Sequence, residues 1–309
     1  DFLDPIDGMR ALDEAIHFLE MGQGDRFGHA TVLGLDLEKW YRKKHNQIYL
    51  QYQDYLDNVV WFYMKIIEFQ ISDCETLKDY LLKEFLKSFH EIYYDIDNLS
   101  DIEIRDIDIF TYYEAWKLRG DDPKLYENGI FEEGKVWGTS QKLITSNFPQ
   151  EEQNRRNRII AALYYSYHYD EGVKRRGAQP KEIILPEMYV RGAILIQKKM
   201  QYEISRRGIG IETNPSSNLK ISTMDNYDEH PILNLYTLGL EDNRDVPQMF
   251  LSINTDDRGI FHTSLENEYA FLAASLENLT DENGEKRYLP QQIYDWLDHI
   301  RKMGNQQVF

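Results

Sequence analysis

The sequence predicts an α/β fold, with the short strands of a parallel sheet alternating with helices that pack outside it. Two observations support this fold class. Short apolar segments alternate with helical patterns at both ends of the 309-residue chain, in residues 1–45 and 208–309. Between them, residues 46–207 carry long helical patterns and little that is typical of a strand. We therefore expect one α/β layer that is interrupted by a helical insertion.

Composition excludes several functional classes. The chain has 35 basic and 53 acidic residues and a net charge of −18, which disfavours binding of duplex nucleic acid. No apolar run approaches the length of a membrane helix. The one cysteine, Cys74, excludes an internal disulfide and fits a reducing compartment, so we expect a cytoplasmic protein.

Residues 1–45 are predicted to form a helix, a strand and a second helix. Ala11, Ala15 and Leu19 lie on one apolar stripe at helical spacing. Residues 26–33 are then typical of a short strand, and Asp36 is a predicted N-cap for the next helix.

Residues 46–207 are predicted to be mainly helical. Apolar residues recur at helical spacing in residues 55–69 and 77–89, and two further helices are expected at 150–169 and 186–207. Residues 121–148 are rich in Gly, Asp and Lys and are predicted to be irregular. Residues 59–63 form an unbroken apolar run, and a helix that is apolar on most sides must bury them. We expect part of this surface to meet another subunit.

Two basic clusters lie in the same region, and the favoured interpretation is that they are solvated helix faces. The alternative is that they contact another subunit or the phosphates of a substrate. The clusters consist of Arg155, Arg156 and Arg158, and of Lys174, Arg175 and Arg176.

Residues 208–309 return to alternating strands and helices. Strands are predicted at residues 209–213 and 249–254, and helices at 230–238, 264–277 and 290–303. We expect both strands to lie beside residues 25–33 in one parallel sheet.

Unusual polar residues are carried by the three predicted strands and their ends. These segments are residues 25–29 (Asp-Arg-Phe-Gly-His), 212–218 (Glu-Thr-Asn-Pro-Ser-Ser-Asn) and 253–257 (Ile-Asn-Thr-Asp-Asp). In parallel α/β barrels the reacting groups lie at the carboxyl ends of the strands. Two adjacent carboxylates there are costly unless a positive group is nearby, and a divalent metal is one such group. The alternative for Asp256 and Asp257 is helix capping or an ordinary turn.

Taken together, the three segments resemble the adenosine deaminase family of zinc hydrolases. Residues 26–30 (Arg-Phe-Gly-His-Ala) match a pattern at the end of that family's sixth strand, Arg-Ile-Gly-His-Gly. Residues 215–218 (Pro-Ser-Ser-Asn), with His-Pro at 230–231, match the turn after its seventh strand. Residues 254–257 (Asn-Thr-Asp-Asp) match the end of its eighth strand. The resemblance implies the C-terminal part of a (β/α)₈ TIM-type barrel. The barrel segments are then 1–45 and 208–309, with a large helical insertion, 46–207, between strands six and seven.

The resemblance also implies roles for three residues. Asp256 is the expected carboxylate ligand of a catalytic Zn²⁺, which lowers the pKa of a bound water and so supplies a hydroxide for attack on C6 of adenine. His29 is expected to orient that water and to stabilise charge at the attacking oxygen, without binding the metal. Asp257 is expected to act in catalysis and substrate binding through a hydrogen bond to N7 of the purine. The structural alternatives are that His29 is a buried histidine with its hydrogen bonds satisfied and that Asp257 caps the following turn.

Two motifs of the family do not occur in this sequence. They are the His-x-His zinc pair of the first strand and the His-Ala-Gly-Glu motif of the fifth, which supplies a third histidine and the glutamate that protonates N1. We therefore expect strands one to five to precede Asp1, and this stretch alone to be inactive. Two further departures are Ala30 in place of a glycine and Arg258 in place of a proline, the arginine facing either a phosphate or solvent.

The function that this resemblance implies is zinc-dependent hydrolytic deamination of adenosine or an adenine nucleotide, ATP and dATP included, to the inosine form. The large insertion is similar to that in deaminases of prokaryotic antiphage defence, such as the RADAR system, and to CRISPR-associated adenosine deaminases. The expected partners are a purine nucleoside or nucleotide, further copies of the chain and a defence-system protein. The alternatives are another metal-dependent aminohydrolase, or a catalytically dead barrel that serves as an assembly scaffold.

Overall fold

The computed structural model describes residues 4–97, 99–131, 149–222 and 224–307. These residues divide into two compact units, and each is described by itself. The first unit comprises residues 1–46 and 185–309, and the second comprises residues 47–184. The first unit thus includes residues 185–207, which the sequence analysis placed in the insertion.

The first unit is built on a three-stranded parallel sheet. Its strands are β1 (Arg26–Gly28), β4 (Gly210–Thr213) and β5 (Leu251–Ile253), in the order β1-β4-β5. Phe27 pairs with Ile211, which pairs in turn with Leu251, and all three side chains are buried. The predicted α/β class and the predicted parallel neighbourhood of the three strands are therefore confirmed.

The first strand is shorter than predicted. We expected it to cover residues 26–33, but it ends at Gly28 because His29 and Ala30 both have left-handed backbones, with φ of 63° and 43°. A left-handed residue cannot continue a pleated strand. Residues Thr31–Leu33 form a 3₁₀ turn instead.

Helices cover the sheet of the first unit. They are α1 (Pro5–Phe18), α2 (Leu37–Lys43), α10 (Glu187–Arg206), α11 (Pro215–Ile221), α12 (Arg258–Phe261), α13 (Leu265–Asn278) and α14 (Pro290–Gln306). The predicted N-cap Asp36 is confirmed, since its Oδ1 accepts the Lys39 N–H at 2.9 Å.

The prediction of a helix at residues 230–238 is wrong. Only a 3₁₀ turn forms there, at Pro231–Asn234. The backbone N–H groups of Thr237 and Leu238 donate to the side chain of Gln248, at 2.8 and 3.2 Å, and therefore not to a helical carbonyl. Local apolar spacing cannot reveal such a competing acceptor.

The second unit joins an antiparallel pair of strands to a set of helices. The strands are β2 (Gln47–Gln51) and β3 (Pro180–Ile184), in a region predicted to be nearly free of strands. Its helices are α3 (Tyr52–Glu68), α4 (Glu75–Tyr93), α5 (Asp101–Arg105), α6 (Ile109–Lys117), α7 (Pro149–Arg156), α8 (Arg158–Tyr169) and α9 (Glu171–Gly177). Part of the segment predicted to be irregular, residues 132–148, lies outside the described residues.

The helix predicted at residues 150–169 is split in two. Asn157 interrupts it, because its side-chain Oδ1 accepts the Ile159 N–H at 2.9 Å and caps α8. Asparagine is a preferred N-cap residue, so the break has a local cause.

The apolar run at residues 59–63 is fully accounted for by burial. All five side chains, from Val59 to Tyr63, are 9% exposed or less. These side chains are therefore not available for the subunit contact that the apolar run was expected to make.

The second unit has a polar core that the sequence analysis did not anticipate. The buried Asp57 carboxylate accepts two hydrogen bonds from Arg119, at 2.6 and 3.0 Å, and one from Tyr112 at 2.8 Å. A buried charge is tolerated only when it is paired and hydrogen-bonded in this way.

One of the basic residues predicted to be solvated, Arg155, is buried, and a second, Arg176, is partly buried. The Arg155 side chain is 3% exposed and forms a two-point ion pair with Asp121, at 2.7 and 3.0 Å. Arg176 donates to the Ile92 carbonyl at 2.6 Å and stacks over the Tyr94 ring. Arg158, whose side chain is 55% exposed, pairs with Glu103, as expected for a solvated helix face.

Among the helices of the described stretches, every one is too short or too polar to span a lipid bilayer.

Candidate active site

The carboxyl ends of the three parallel strands bring the polar segments together. His29 follows β1, residues 214–218 follow β4 and open α11, and Asp256 follows β5 by three residues. The parallel pairing places these ends at one edge of the sheet.

The position of His29 is determined by its backbone. Its N–H donates to the Glu212 carbonyl at 2.8 Å, which extends the pairing of β1 with β4 by one residue. The left-handed φ of 63° then turns the chain away from the sheet. Such a conformation is uncommon for residues other than glycine and occurs often at functional sites.

Asp256 faces His29. Its Oδ2 lies 3.6 Å from the Nε2 atom of His29 and accepts a hydrogen bond from the Ser217 hydroxyl at 2.6 Å. Its Oδ1 accepts the N–H of the next residue, Asp257, at 2.8 Å. Asp256 too has a left-handed backbone, with φ of 56°. About a third of each of the two side chains is exposed, so a small molecule can reach both.

Asp257 has a different environment from Asp256. It is exposed, and its Oδ1 accepts the Ile260 N–H at 3.0 Å, which makes it the N-cap of α12. The capping alternative considered for this residue is therefore observed. A capping carboxylate retains its second oxygen, so the cap does not prevent contact with a substrate.

Asn218 and His230 complete the surroundings of His29. The Nδ2 of Asn218 is 2.9 Å from Nδ1 of His29, and the Oδ1 of Asn218 is 3.1 Å from Nε2 of His230. Asn218 and His230 are both fully buried, with exposures of 0% and 1%. Both residues lie within the sequence motifs, but no role was predicted for either, because nothing in the local sequence shows that they meet His29.

Glu268 holds the loops that carry the site. It is fully buried, its Oε2 accepts the Ser216 N–H at 2.7 Å, and its Oε1 accepts the Thr263 hydroxyl. One carboxylate of α13 thus ties together the segment after β4 and the segment after β5. No local sequence pattern predicted this role of Glu268.

The described residues do not form a metal centre by themselves. In residues 4–307, apart from the undescribed positions, no three His, Cys, Asp or Glu side chains converge as ligands. Asp256 fits as one carboxylate ligand, since its Oδ2 points to the side occupied by His29. A zinc site needs at least three protein ligands, so Asp256 alone cannot hold the metal.

A cavity of about 490 Å³ lies at the opposite ends of the strands. Its lining includes Arg26, Gly210 and Phe250, which stand at or before the amino ends of β1, β4 and β5. His29 and Asp256 are at the other edge of the sheet, so this cavity is separate from the candidate site.

Comparison with known proteins gives a consistent result for part of the chain. Residues 193–287 match the model of the adenosine deaminase family. This stretch contains β4, β5, Asn218, His230 and Asp256, whereas His29 lies before it.

The similar curated proteins are adenosine deaminases. Those of Shewanella denitrificans and Shewanella loihica are 34% identical over 84 residues and 36% identical over 77 residues. The enzyme of Plasmodium gallinaceum is 37% identical over 79 residues. These alignments cover 27%, 25% and 25% of this chain, and 22%, 20% and 19% of the respective relatives. The chain therefore spans about a fifth of the length of the curated relatives that it matches.

Proposed function

We propose that this chain, which belongs to the adenosine deaminase family through residues 193–287, contributes one edge of an active site for hydrolytic deamination of adenosine or an adenine nucleotide. The observation that carries the proposal is the 3.6 Å approach of His29 Nε2 to Asp256 Oδ2. These residues are separated by most of the chain, yet they meet at the edge of a parallel sheet where such folds bind substrates.

Each residue has a distinct part in this proposal. Asp256 is the one metal ligand in this proposal that lies among the described residues, and the Ser217 hydroxyl, 2.6 Å from its Oδ2, fixes the orientation of the carboxylate. His29 holds the attacking oxygen and stabilises the charge that develops on it. Asp257 binds the purine at N7 with the oxygen that does not cap α12.

The metal in the proposal is Zn²⁺, with its remaining ligands from outside the described residues. When bound, zinc lowers the pKa of a coordinated water toward neutrality and so supplies a nucleophile at physiological pH. Without those ligands the stretch described here cannot carry out the reaction.

For the fold, we propose that β1, β4 and β5 are the sixth, seventh and eighth strands of a TIM-type barrel. Residues 46–207 then form a large insertion between strands six and seven, flanked by barrel segments 1–45 and 208–309, and the last part of this insertion, residues 185–207, belongs to the first compact unit. The parallel order β1-β4-β5 supports this, since β1 and β4 are neighbours although residues 47–184 form a separate unit between them in sequence. An experimental structure of the intact protein tests it: β1 and β5 should each pair with one more parallel strand.

For the substrate and its context, we propose an adenine nucleotide in prokaryotic antiphage defence, in a cytoplasmic protein. The large helical unit supports the comparison with defence deaminases. The exposed Arg258, which follows Asp257, is a group that a substrate phosphate can reach.

We also propose that the protein forms homo-oligomers and meets a defence-system partner. Exposed apolar side chains of the helical unit support this proposal, notably Ile102 and Ile130, which are 70% and 62% exposed. Light scattering tests the homo-oligomer directly: a monomer at micromolar concentration would contradict it.

The decisive experiment is metal analysis of the intact protein, followed by an ammonia-release assay with adenosine, AMP, ATP and dATP. Asp256→Ala should abolish zinc-dependent activity. His29→Ala should leave zinc bound and lower turnover by about a hundredfold or more. The matched control is Asp295→Ala on the exposed face of α14, which should change neither metal content nor turnover.

Each other outcome has a definite meaning. Full activity in both site variants would show that these residues are not the ones that act. Release of ammonia only from other aminated rings would favour a different aminohydrolase. An intact protein with neither metal nor activity would favour a scaffold.

A further inference from the structure

We propose that Asn218 and His230 are positioning residues that fix which ring nitrogen of His29 carries the proton. This inference rests on the proposed function of His29, although the hydrogen bonds that support it are independent of the reaction. They form one continuous chain from two backbone amides to the edge of His29 that faces Asp256.

The hydrogen bonds of His230 show which of its two ring nitrogens carries the proton. Its Nδ1 lies 3.1 Å from the backbone N–H of Ile232, a group that can only donate. Nδ1 of His230 is therefore the acceptor, and in the neutral ring the proton is on Nε2. Burial lowers the pKa of His230 to about 3, so the ring is neutral at physiological pH.

The second step is the orientation of the Asn218 amide. Its Oδ1 is within hydrogen-bond distance of two donors, the backbone N–H of Asn214 at 3.1 Å and the Nε2–H of His230 at 3.1 Å. Neither donor can pair with an NH₂ group. The amide nitrogen of Asn218 must therefore face His29.

The third step follows for His29 itself. Nδ2 of Asn218, 2.9 Å away, donates to Nδ1 of His29, so Nδ1 accepts and Nε2 carries the proton. This Nε2–H faces Oδ2 of Asp256 across 3.6 Å. The side of neutral His29 that faces the site is thus a hydrogen-bond donor, suited to hold an oxygen atom and to stabilise negative charge on it.

Burial makes this arrangement hard to change. Asn218 and His230 are 0% and 1% exposed, so water cannot replace a lost partner without a large rearrangement. Rotating the amide of Asn218 would place its NH₂ group against the N–H donors of Asn214 and His230, and its oxygen against Nδ1 of His29. A single tautomer of His29 is therefore strongly preferred over the other.

The sharpest test is Asn218→Asp, which keeps the shape and the two bonds to Oδ1 but turns the donor facing His29 into an acceptor. The carboxylate, when ionised, can only accept, so His29 then places a proton on Nδ1. We expect kcat of the intact enzyme to fall by about a hundredfold or more while KM changes by less than about threefold, because the loss is confined to the reacting step. The matched control is Asn243→Asp in an exposed turn, which adds the same charge and should leave both constants unchanged.

A spectroscopic measurement separates positioning from a merely structural role. Long-range ¹H–¹⁵N correlation spectra of the histidine-labelled intact protein, at about pH 8, distinguish protonated from bare ring nitrogens. We expect His29 and His230 both to show bare Nδ1 and protonated Nε2, with signals assigned from His29→Gln and His230→Gln. In Asn218→Asp, Nδ1 of His29 should become protonated.

The results also separate this inference from the proposed function. A wild-type His29 with its proton on Nδ1 would overturn the inference, even in an active deaminase. Wild-type tautomers as expected in a protein without deaminase activity would support the hydrogen-bond chain and contradict the function.

If Asn218→Asp does not fold, His230→Gln and His230→Phe replace it. Gln keeps a donor toward Asn218 and should retain more turnover than Phe, and equal loss in the two variants would count against the inference.

Discussion

The buried carboxyl group of Asp4 should make the stability of the protein depend on pH in a direction opposite to that of most acids. Asp4 is the N-cap of α1, is fully buried, and accepts hydrogen bonds from the hydroxyls of Tyr41 and Tyr189 at 2.5 and 2.8 Å. Desolvation raises its pKa from 3.8 to about 6, and the hydrogen bonds of the two tyrosines offset only part of this effect.

The sign follows from proton binding. Between about pH 4 and 6 the folded state holds more protons on this group than the unfolded state, so the free energy of unfolding falls as pH rises. Because the pKa of Asp4 is raised from 3.8 to about 6, its ionisation lowers the free energy of unfolding by roughly 3 kcal/mol in total. About half of this loss falls between about pH 5 and 7.5. Above about pH 7 the full cost of the buried charge is present.

Asp4→Asn removes the charge and retains a residue that caps helices well. We expect the variant to be more stable than the wild type by up to roughly 3 kcal/mol above pH 7, with the difference shrinking toward pH 4. Urea unfolding of the intact protein at several pH values from about 5 to 8 measures this difference. In a second variant, Tyr189→Phe, one hydrogen bond to the carboxylate is lost, which should move the pH-dependent range upward. A stability difference between Asp4→Asn and the wild type that is constant across this range would refute the reasoning.

Two further predictions concern stability and can be measured in the same way. Arg155→Ala should cost about 3–5 kcal/mol because it removes the two-point ion pair of the buried Asp121, whereas Arg158→Ala, at an exposed ion pair, should cost less than about 1 kcal/mol; similar losses would show that Arg155 is not buried. Ala30→Gly should stabilise the protein by roughly 0.5–1 kcal/mol because Ala30 has a left-handed φ of 43°. The control Ala161→Gly, within α8, should destabilise it by about 1 kcal/mol, and a loss of stability in both variants would argue against strain at Ala30.

Local sequence patterns were sufficient for most elements of the fold. The strands at β4 and β5, the long helices α3, α4 and α10, and the cap at Asp36 follow from periodicity and capping preferences, which act over a few residues. The same patterns located the polar segments that carry His29 and Asp256, although β1 ends at Gly28 and not at residue 33 as predicted. Elements that depend on partners distant in sequence were missed, as with β2 and β3, which are stabilised by each other across more than a hundred residues.

The candidate site shows the same division. The sequence by itself determined which residue types stand at the strand ends, because a motif is a property of consecutive residues. Only the tertiary structure decided that Asp256 faces His29 while Asp257 caps a helix, since the two adjacent carboxylates are chemically identical until the backbone aims them. It also decided that His230 and Asn218 reach His29, and that Arg155 is buried while Arg158 is exposed. The physical reason is that burial and hydrogen-bond partners are set by chain segments far apart in sequence, which local periodicity does not encode.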